Sequence, residues 1–199
     1  MLVTFEGIEG SGKSTQVELL ARRLRHRSPV ALREPGGTDL GERIRGLLLH
    51  LEDVPISAEA ELHLFLAARA ELVDEVVRPA LEGGRVVLID RYHDSTRAYQ
   101  GGARGLDVEW PAWLPRPDLT FLLELPAAVG LARRQAAGGE NRIDAEALAF
   151  HEAVAAAYDR LAQAEPERWI RLDATLPPAE IQATVQQHVD RKLEGSTSS

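Results

Sequence analysis

The sequence predicts a single α/β domain built on a parallel sheet that is covered on both faces. Three observations carry the prediction. Five short apolar runs recur along the 199 residues, and stretches with helical periodicity alternate with them. The first run leads directly into Gly7-Ile-Glu-Gly-Ser-Gly-Lys-Ser14, a glycine-rich turn that opens a helix. A chain of this length that is 44% hydrophobic can bury one good core.

Leu2 to Phe5 is the first strand, and after the loop Val17, Leu20, Ala21 and Leu24 recur at helical spacing. Val30 to Leu32 reads as a second strand. The turn cluster Glu34-Pro-Gly-Gly-Thr38 follows, then a helix with Ile44, Leu47, Leu48 and Leu51 on one face. A long helix begins at Ser57 or Ala58, carries Leu62, Phe65, Leu66, Val73 and Val76, and closes at Pro79 and Gly83-Gly84. Arg85 to Ile89 is a buried strand ending in Asp90, Leu119 to Leu125 a fourth and Trp169 to Leu172 a fifth. Helices are expected over Ala127 to Ala136 and Ala145 to Ala164, split by a glycine-rich insert, and a last one carries Ile181, Val185 and Val189. One domain therefore spans residues 1–193, with a lid at roughly 133–143 and a polar, disordered tail over 194–199. In such a sheet ligands sit at the carboxyl ends of the strands, where Gly7, Glu34, Asp90 and Asp173 fall.

Charge narrows the function classes. With 31 acidic and 23 basic residues the net charge is −8, which argues against a general grip on nucleic acid or anionic lipid. Any bound anion must be held by local groups. The chain has no cysteine, so disulfides and thiolate metal sites are excluded. No apolar run approaches the ~20 residues of a membrane helix, and the N-terminus has no signal-peptide pattern. The expectation is a soluble, cytoplasmic protein.

Gly7, Gly10 and Gly12 let backbone N–H groups turn inward toward phosphate, aided by the positive end of the following helix. The loop spans Gly7, Ile8, Glu9, Gly10, Ser11, Gly12, Lys13, Ser14 and Thr15, and matches an ATP-binding P-loop. Lys13 would reach the β and γ phosphates, and the Ser14 hydroxyl would ligate Mg²⁺. Asp90 sits where P-loop proteins place an acid that holds Mg²⁺ or its water, although an Asp that ends a strand also reads as a simple turn residue. Arg91 adds a cation that a metal site alone does not need but two neighbouring phosphate groups do. Phe65 and Arg69, four apart, share one helix face and would stack a base and bond its edge; a core ring beside a solvated arginine fits the same spacing. Arg133, Arg134 and Arg142 flank the insert and would neutralise charge on a transferred phosphoryl group; a solvated helix end is the rival reading. The six histidines show no metal-like clustering and read as surface or half-buried residues.

Taken together, these residues resemble the bacterial thymidylate kinases. The likeness rests on Phe5 to Ser14, Arg33-Glu-Pro-Gly-Gly-Thr38, Ile44-Arg45, Phe65-Leu-Ala-Ala-Arg69, Asp90-Arg-Tyr92, Ala98-Tyr-Gln-Gly101 and Asn141-Arg142, in family order from Met1 to about Leu193. The resemblance implies a nucleoside monophosphate kinase fold with a five-stranded parallel sheet. It also implies transfer of the γ-phosphoryl group of ATP to dTMP. Phe65 matches the residue that stacks on thymine, Arg69 the one that bonds its O4, and Thr96 and Gln100 residues at the base edge. Tyr99 matches the tyrosine under the sugar that helps to select the deoxy form. Pro35 and Arg45 match further contacts of the monophosphate pocket, Arg91 the arginine between the two phosphates, and Glu9 an acceptor-side carboxylate of the loop. Leu172-Asp-Ala-Thr175 resembles the loop beside adenine, and the family is commonly homodimeric.

Two departures from the family stand out. The lid is short and glycine-rich, so although the lack of an arginine between Gly7 and Lys13 assigns the catalytic one to the lid, alignment does not fix which it is: Arg142 matches best, with Arg133 and Arg134 as rivals. Residues 105–117 carry prolines at 111, 115 and 117 where relatives usually have a longer helix. The rival readings are another P-loop nucleotide or deoxynucleoside kinase and a nucleotide-dependent switch. The switch would need a guanine-reading Asn-Lys-x-Asp, which the chain lacks, or a partner surface.

Overall fold

A computed structural model describes residues 1–51, 54–138 and 141–196. Five parallel strands lie in the order β2-β3-β1-β4-β5, formed by Leu2–Glu6 (β1), Val30–Arg33 (β2), Val87–Asp90 (β3), Leu119–Glu124 (β4) and Trp169–Asp173 (β5). β1 is buried along its whole length, whereas β2 alternates between half-buried and exposed residues. This contrast follows from position. A central strand has helices on both faces, and an edge strand presents one side to water.

Among the described residues eight α-helices flank the sheet: Lys13–Arg23 (α1), Asp39–His50 (α2), Ala58–Leu72 (α3), Arg78–Glu82 (α4), His93–Thr96 (α5), Ala127–Ala136 (α6), Leu148–Ala164 (α7) and Pro178–Ser196 (α8). On one face α1 and α8 bury Val17, Leu20, Val185 and Val189 against Phe5 and Phe121, whose rings stack at 5.2 Å. On the other, Ile44, Leu48, Val154 and Tyr158 pack with Leu122 and Trp169. Thr38 caps α2 by accepting from Gly41 N, and Ser57 caps α3 by accepting from Ala60 N.

Three expectations change. Pro79 does not end the long helix. A wide π turn over Val73–Val77 accommodates its missing N–H, and the chain runs on as α4 to Glu82 before turning at Gly83-Gly84. The chain end is helical through Glu194, Gly195 and Ser196, because Leu193 packs against the core and carries α8 past the expected boundary; residues 197–199 lie outside the described set. His93 and His151 are fully buried rather than at the surface.

The proline-rich stretch 105–117 forms no helix, as its composition requires. It still does structural work. Leu114 enters the core, Trp110 Nε1 donates to Leu114 O, and the Trp110 ring stands edge-on to His93 at 4.9 Å.

Candidate active site

A cavity of about 560 Å³ opens at the carboxyl ends of β1, β2 and β3. Loop residues Gly10, Gly12, Lys13, Ser14 and Thr15 form one end. Phe65, Arg69, Thr96, Tyr99 and Gln100 form the other, and Glu9, Asp90 and Arg91 lie between them. Gly7 and Ile8 instead face a neighbouring cavity together with Asp173 and Thr175, so the end of β5 does not join the main site.

The loop can hold an anion because its backbone is left free to do so. Gly12 caps α1 at φ 92° with no side chain over the helix end, and no acidic residue occupies the first turn. Gly10 meets Gly130 of α6 backbone to backbone, and a Cβ on either would overlap the other segment's carbonyl oxygen. Lys13 Nζ is held over the turn by Ile8 O at 2.8 Å and Ser11 Oγ at 3.3 Å. Burial and the nearby Arg91 push the Lys13 ammonium down to about 8. Ser14 Oγ donates to Asp90 Oδ2, bringing two oxygen donors together beside the loop.

Arg91 follows β3 with φ 68°, an uncommon backbone for a branched or long side chain, fixed by its N–H donating to Phe5 O. The bend returns its guanidinium to the loop. There Nη2 donates to Glu9 Oε1 at 2.9 Å, and the group lies 4.9 Å from the Tyr99 ring centroid. Glu9 also accepts from Tyr99 OH at 2.6 Å and sits 3.0 Å from His151 Nδ1. Burial alone would raise Glu9, but Arg91, His151 and Lys13 outweigh it and hold the carboxylate well below its usual range.

The far wall is a closed hydrogen-bond set around Arg69, which is 2% exposed. Its Nε donates to Glu34 Oε2 at 2.7 Å, Nη1 to Thr96 Oγ1 at 2.9 Å and to His93 Nδ1 at 3.2 Å, and Nη2 to Tyr92 O at 3.1 Å. Burial, then Arg69, lowers His93 to about 3, so its ring is neutral. The Nε2 proton then goes to Glu109 O at 2.8 Å, which ties stretch 105–117 to the back of Arg69. A wide π turn over Arg97–Ala103 follows α5 and turns Tyr99 and Gln100 inward beside Thr96. Arg45 Nη1 donates to Pro35 O at 2.9 Å, and both residues line the cavity.

The three lid arginines part company. Arg133 and Arg134 line the cavity; Arg133 Nη1 donates to Ala174 O at 2.8 Å, and Arg134 Nε to Asp144 Oδ2 at 2.9 Å. Arg142 turns to the α2–α3 side, where Nε donates to Leu48 O at 3.0 Å and Nη2 to Glu61.

Sequence reasoning passed over Glu6, Glu61, His93 and His151. Glu6 ends β1 beneath the loop and accepts from Tyr92 N at 2.8 Å, Ser95 Oγ at 2.6 Å and Tyr158 OH at 2.9 Å. Burial and the charge of Asp94 raise it to about 7. An acid closing an otherwise apolar strand was the available signal. For Glu61 the signal was an acid four residues before Phe65 on a helix face that faces the site.

A glycine loop with free backbone N–H groups, a lysine and an arginine beside it, and a polar far wall in one cavity fit a P-loop phosphotransferase. The comparisons carry this to a family. The thymidylate kinase family model matches residues 5–185. The chain is 47% identical to a thymidylate kinase of Desulfovibrio desulfuricans, over 98% of this chain and 99% of the relative. It is 55% identical to one of Thermomicrobium roseum, over 88% of each. The solved thymidylate kinase of Ehrlichia chaffeensis superposes with a TM-score of 0.74 at 28% identity, covering 96% of this chain and 98% of that one. The chain belongs to the thymidylate kinase family.

Proposed function

We propose that this chain transfers the γ-phosphoryl group of ATP to dTMP, giving ADP and dTDP on the route to dTTP. The observation that carries the reading is the single cavity in which the loop faces Phe65, Arg69, Thr96 and Gln100 with Arg91 between them. ATP phosphates lie on the loop and Lys13. The thymine ring stacks on Phe65 with O4 toward Arg69 and its edge on Thr96 and Gln100. Tyr99 supports the deoxyribose beside Glu9, and Pro35 and Arg45 complete the monophosphate pocket.

An acceptor phosphate oxygen attacks the γ-phosphorus as the bond to the β,γ-bridging oxygen breaks, and ADP leaves. The dTMP phosphate is already an ionised nucleophile, so no strong general base is needed. Arg91 holds both phosphates near one another while Lys13 offsets charge on the β and γ groups. A lid arginine supplies the remaining charge: Arg133 and Arg134 have the support of their place on the cavity wall, and Arg142 that of its sequence match. Ser14 and Asp90, hard oxygen donors brought together beside the loop, would hold Mg²⁺. When bound, Mg²⁺ neutralises phosphate charge. Among the described residues no cluster of three or more carboxylates, imidazoles or thiols competes for a metal.

The reading includes a homodimer in the cytoplasm, and Leu47, 46% exposed on α2, supplies apolar surface for pairing. Sedimentation tests the dimer. The decisive assay is a panel of nucleoside monophosphates with ATP and Mg²⁺. A clear preference for dTMP is expected, and turnover indifferent to the base sinks the reading.

A further inference from the structure

Gln100 and Glu61 form a pair whose chemistry is fixed even before a ligand enters. Gln100 sits in the far wall of the cavity, 1% exposed, and its Nε2 donates to Glu61 Oε1 at 2.7 Å. Glu61 itself is buried on α3, one turn before Phe65. It accepts from Arg104 at both oxygens, each at 3.3 Å, and from Arg142 Nη2 at Oε2. Burial favours the neutral acid, but the bonds from Gln100, Arg142 and Arg104 overcome it and hold Glu61 below the ordinary carboxylate range.

An ionised carboxylate has no proton to give, so it accepts only from the NH₂ end of an amide. That requirement fixes the orientation of Gln100 independently of how its O and N atoms are assigned. With Nε2 committed to Glu61, Oε1 is the end left for the cavity that Gln100 lines.

We propose that Glu61 is a specificity-determining positioning residue. By holding the NH₂ end of Gln100, it makes the cavity-facing end a hydrogen-bond acceptor, which selects a pyrimidine bearing an imide N3–H and rejects one whose N3 is a lone pair. Against cytosine the Gln100 oxygen would face the N3 lone pair, an arrangement that costs more than a missing contact because buried polar groups are left unpaired. Arg104 and Arg142 serve the same end by keeping Glu61 ionised. The inference rests on the acceptor reading proposed above.

The test is the ratio of kcat/KM for dTMP to that for dCMP, measured with ATP on the full chain and on Glu61→Gln. A glutamine at 61 offers either end to Gln100, so the amide is free to turn. The ratio is expected to fall by about tenfold or more, with dCMP turnover held or raised. If both substrates lose activity alike and the ratio stays within about twofold, Glu61 is structural support only and the proposal is overturned. If the unsubstituted chain fails to prefer dTMP, it is the acceptor reading that fails. Should Glu61→Gln not fold by circular dichroism, a crystal of the unsubstituted chain with dTMP decides. Gln100 within hydrogen-bond distance of both N3 and Glu61 supports the proposal, and N3 bonded to another group overturns it.

Discussion

The two walls of the cavity are built on opposite principles. On the acceptor side Arg69, Thr96 and Gln100 are at most 2% exposed and already carry hydrogen bonds to α3, α5 or the loop after β2. On the donor side Arg133 lies exposed near the end of α6, Arg134 is only half-buried, and Gly138 follows at φ 74°. In the proposed reading the base would meet fixed groups whose cost of ordering was met during folding. Phosphates must enter and leave, and the arginines proposed to serve them lie on a segment that faces solvent.

The contrast breaks most visibly at the lid. With Arg133, Arg134 and Arg142 each changed to alanine, at least one is expected to lower kcat by about 10³-fold with little change in KM for dTMP. Steady-state kinetics on the three variants checks this, and three losses within about twofold would mean that the lid carries no catalytic charge. Lys13→Met should lower kcat by about 10²–10³-fold while circular dichroism stays native, since one preorganised charge is lost from the phosphate end. Phe65→Ala probes the acceptor wall alone. KM for dTMP should rise about tenfold, consistent with a stacking contribution of about 1–3 kcal/mol, with kcat within about twofold. A fall in kcat equal to the rise in KM would show that the acceptor wall also acts on the transition state.

The smallest effect concerns stability beneath the loop. Glu6 is raised from 4.5 in the unfolded chain to about 7 by burial and Asp94. The folded state therefore binds the extra proton between these values. The stability it contributes is full below pH 4.5 and is lost as pH rises through about 7. Urea midpoints measured across that window should decline less steeply in Glu6→Gln than in the unsubstituted chain; parallel curves would remove Glu6 as the titrating group.

The same division governs what could be read from sequence. The strands, the loop and the helix that carries Phe65 and Arg69 follow from local periodicity, because each is written in consecutive residues. Of the expected glycine-rich insert, residues 139 and 140 lie outside the described set. What sequence spacing could not supply was pairing across long separations: His151 with Glu9 lies 142 residues away, and Arg142 with Glu61 lies 81 away. No periodicity marks either partner, so His151 read as a surface or half-buried histidine and Glu61 drew no reading at all. Arg69 falls between these cases. Its spacing to Phe65 was visible, but its burial depends on Glu34, Tyr92, His93 and Thr96 closing around it.

The contact between Gly10 and Gly130 gives the phosphate loop a second office. Since neither position tolerates a Cβ, α6 rests on the loop backbone itself, and Arg133 begins one turn further along the same helix. The loop is therefore the bearing on which α6 rests. A single methyl group at Gly130 would act as a wedge against Glu9 O, displacing the helix and the loop together.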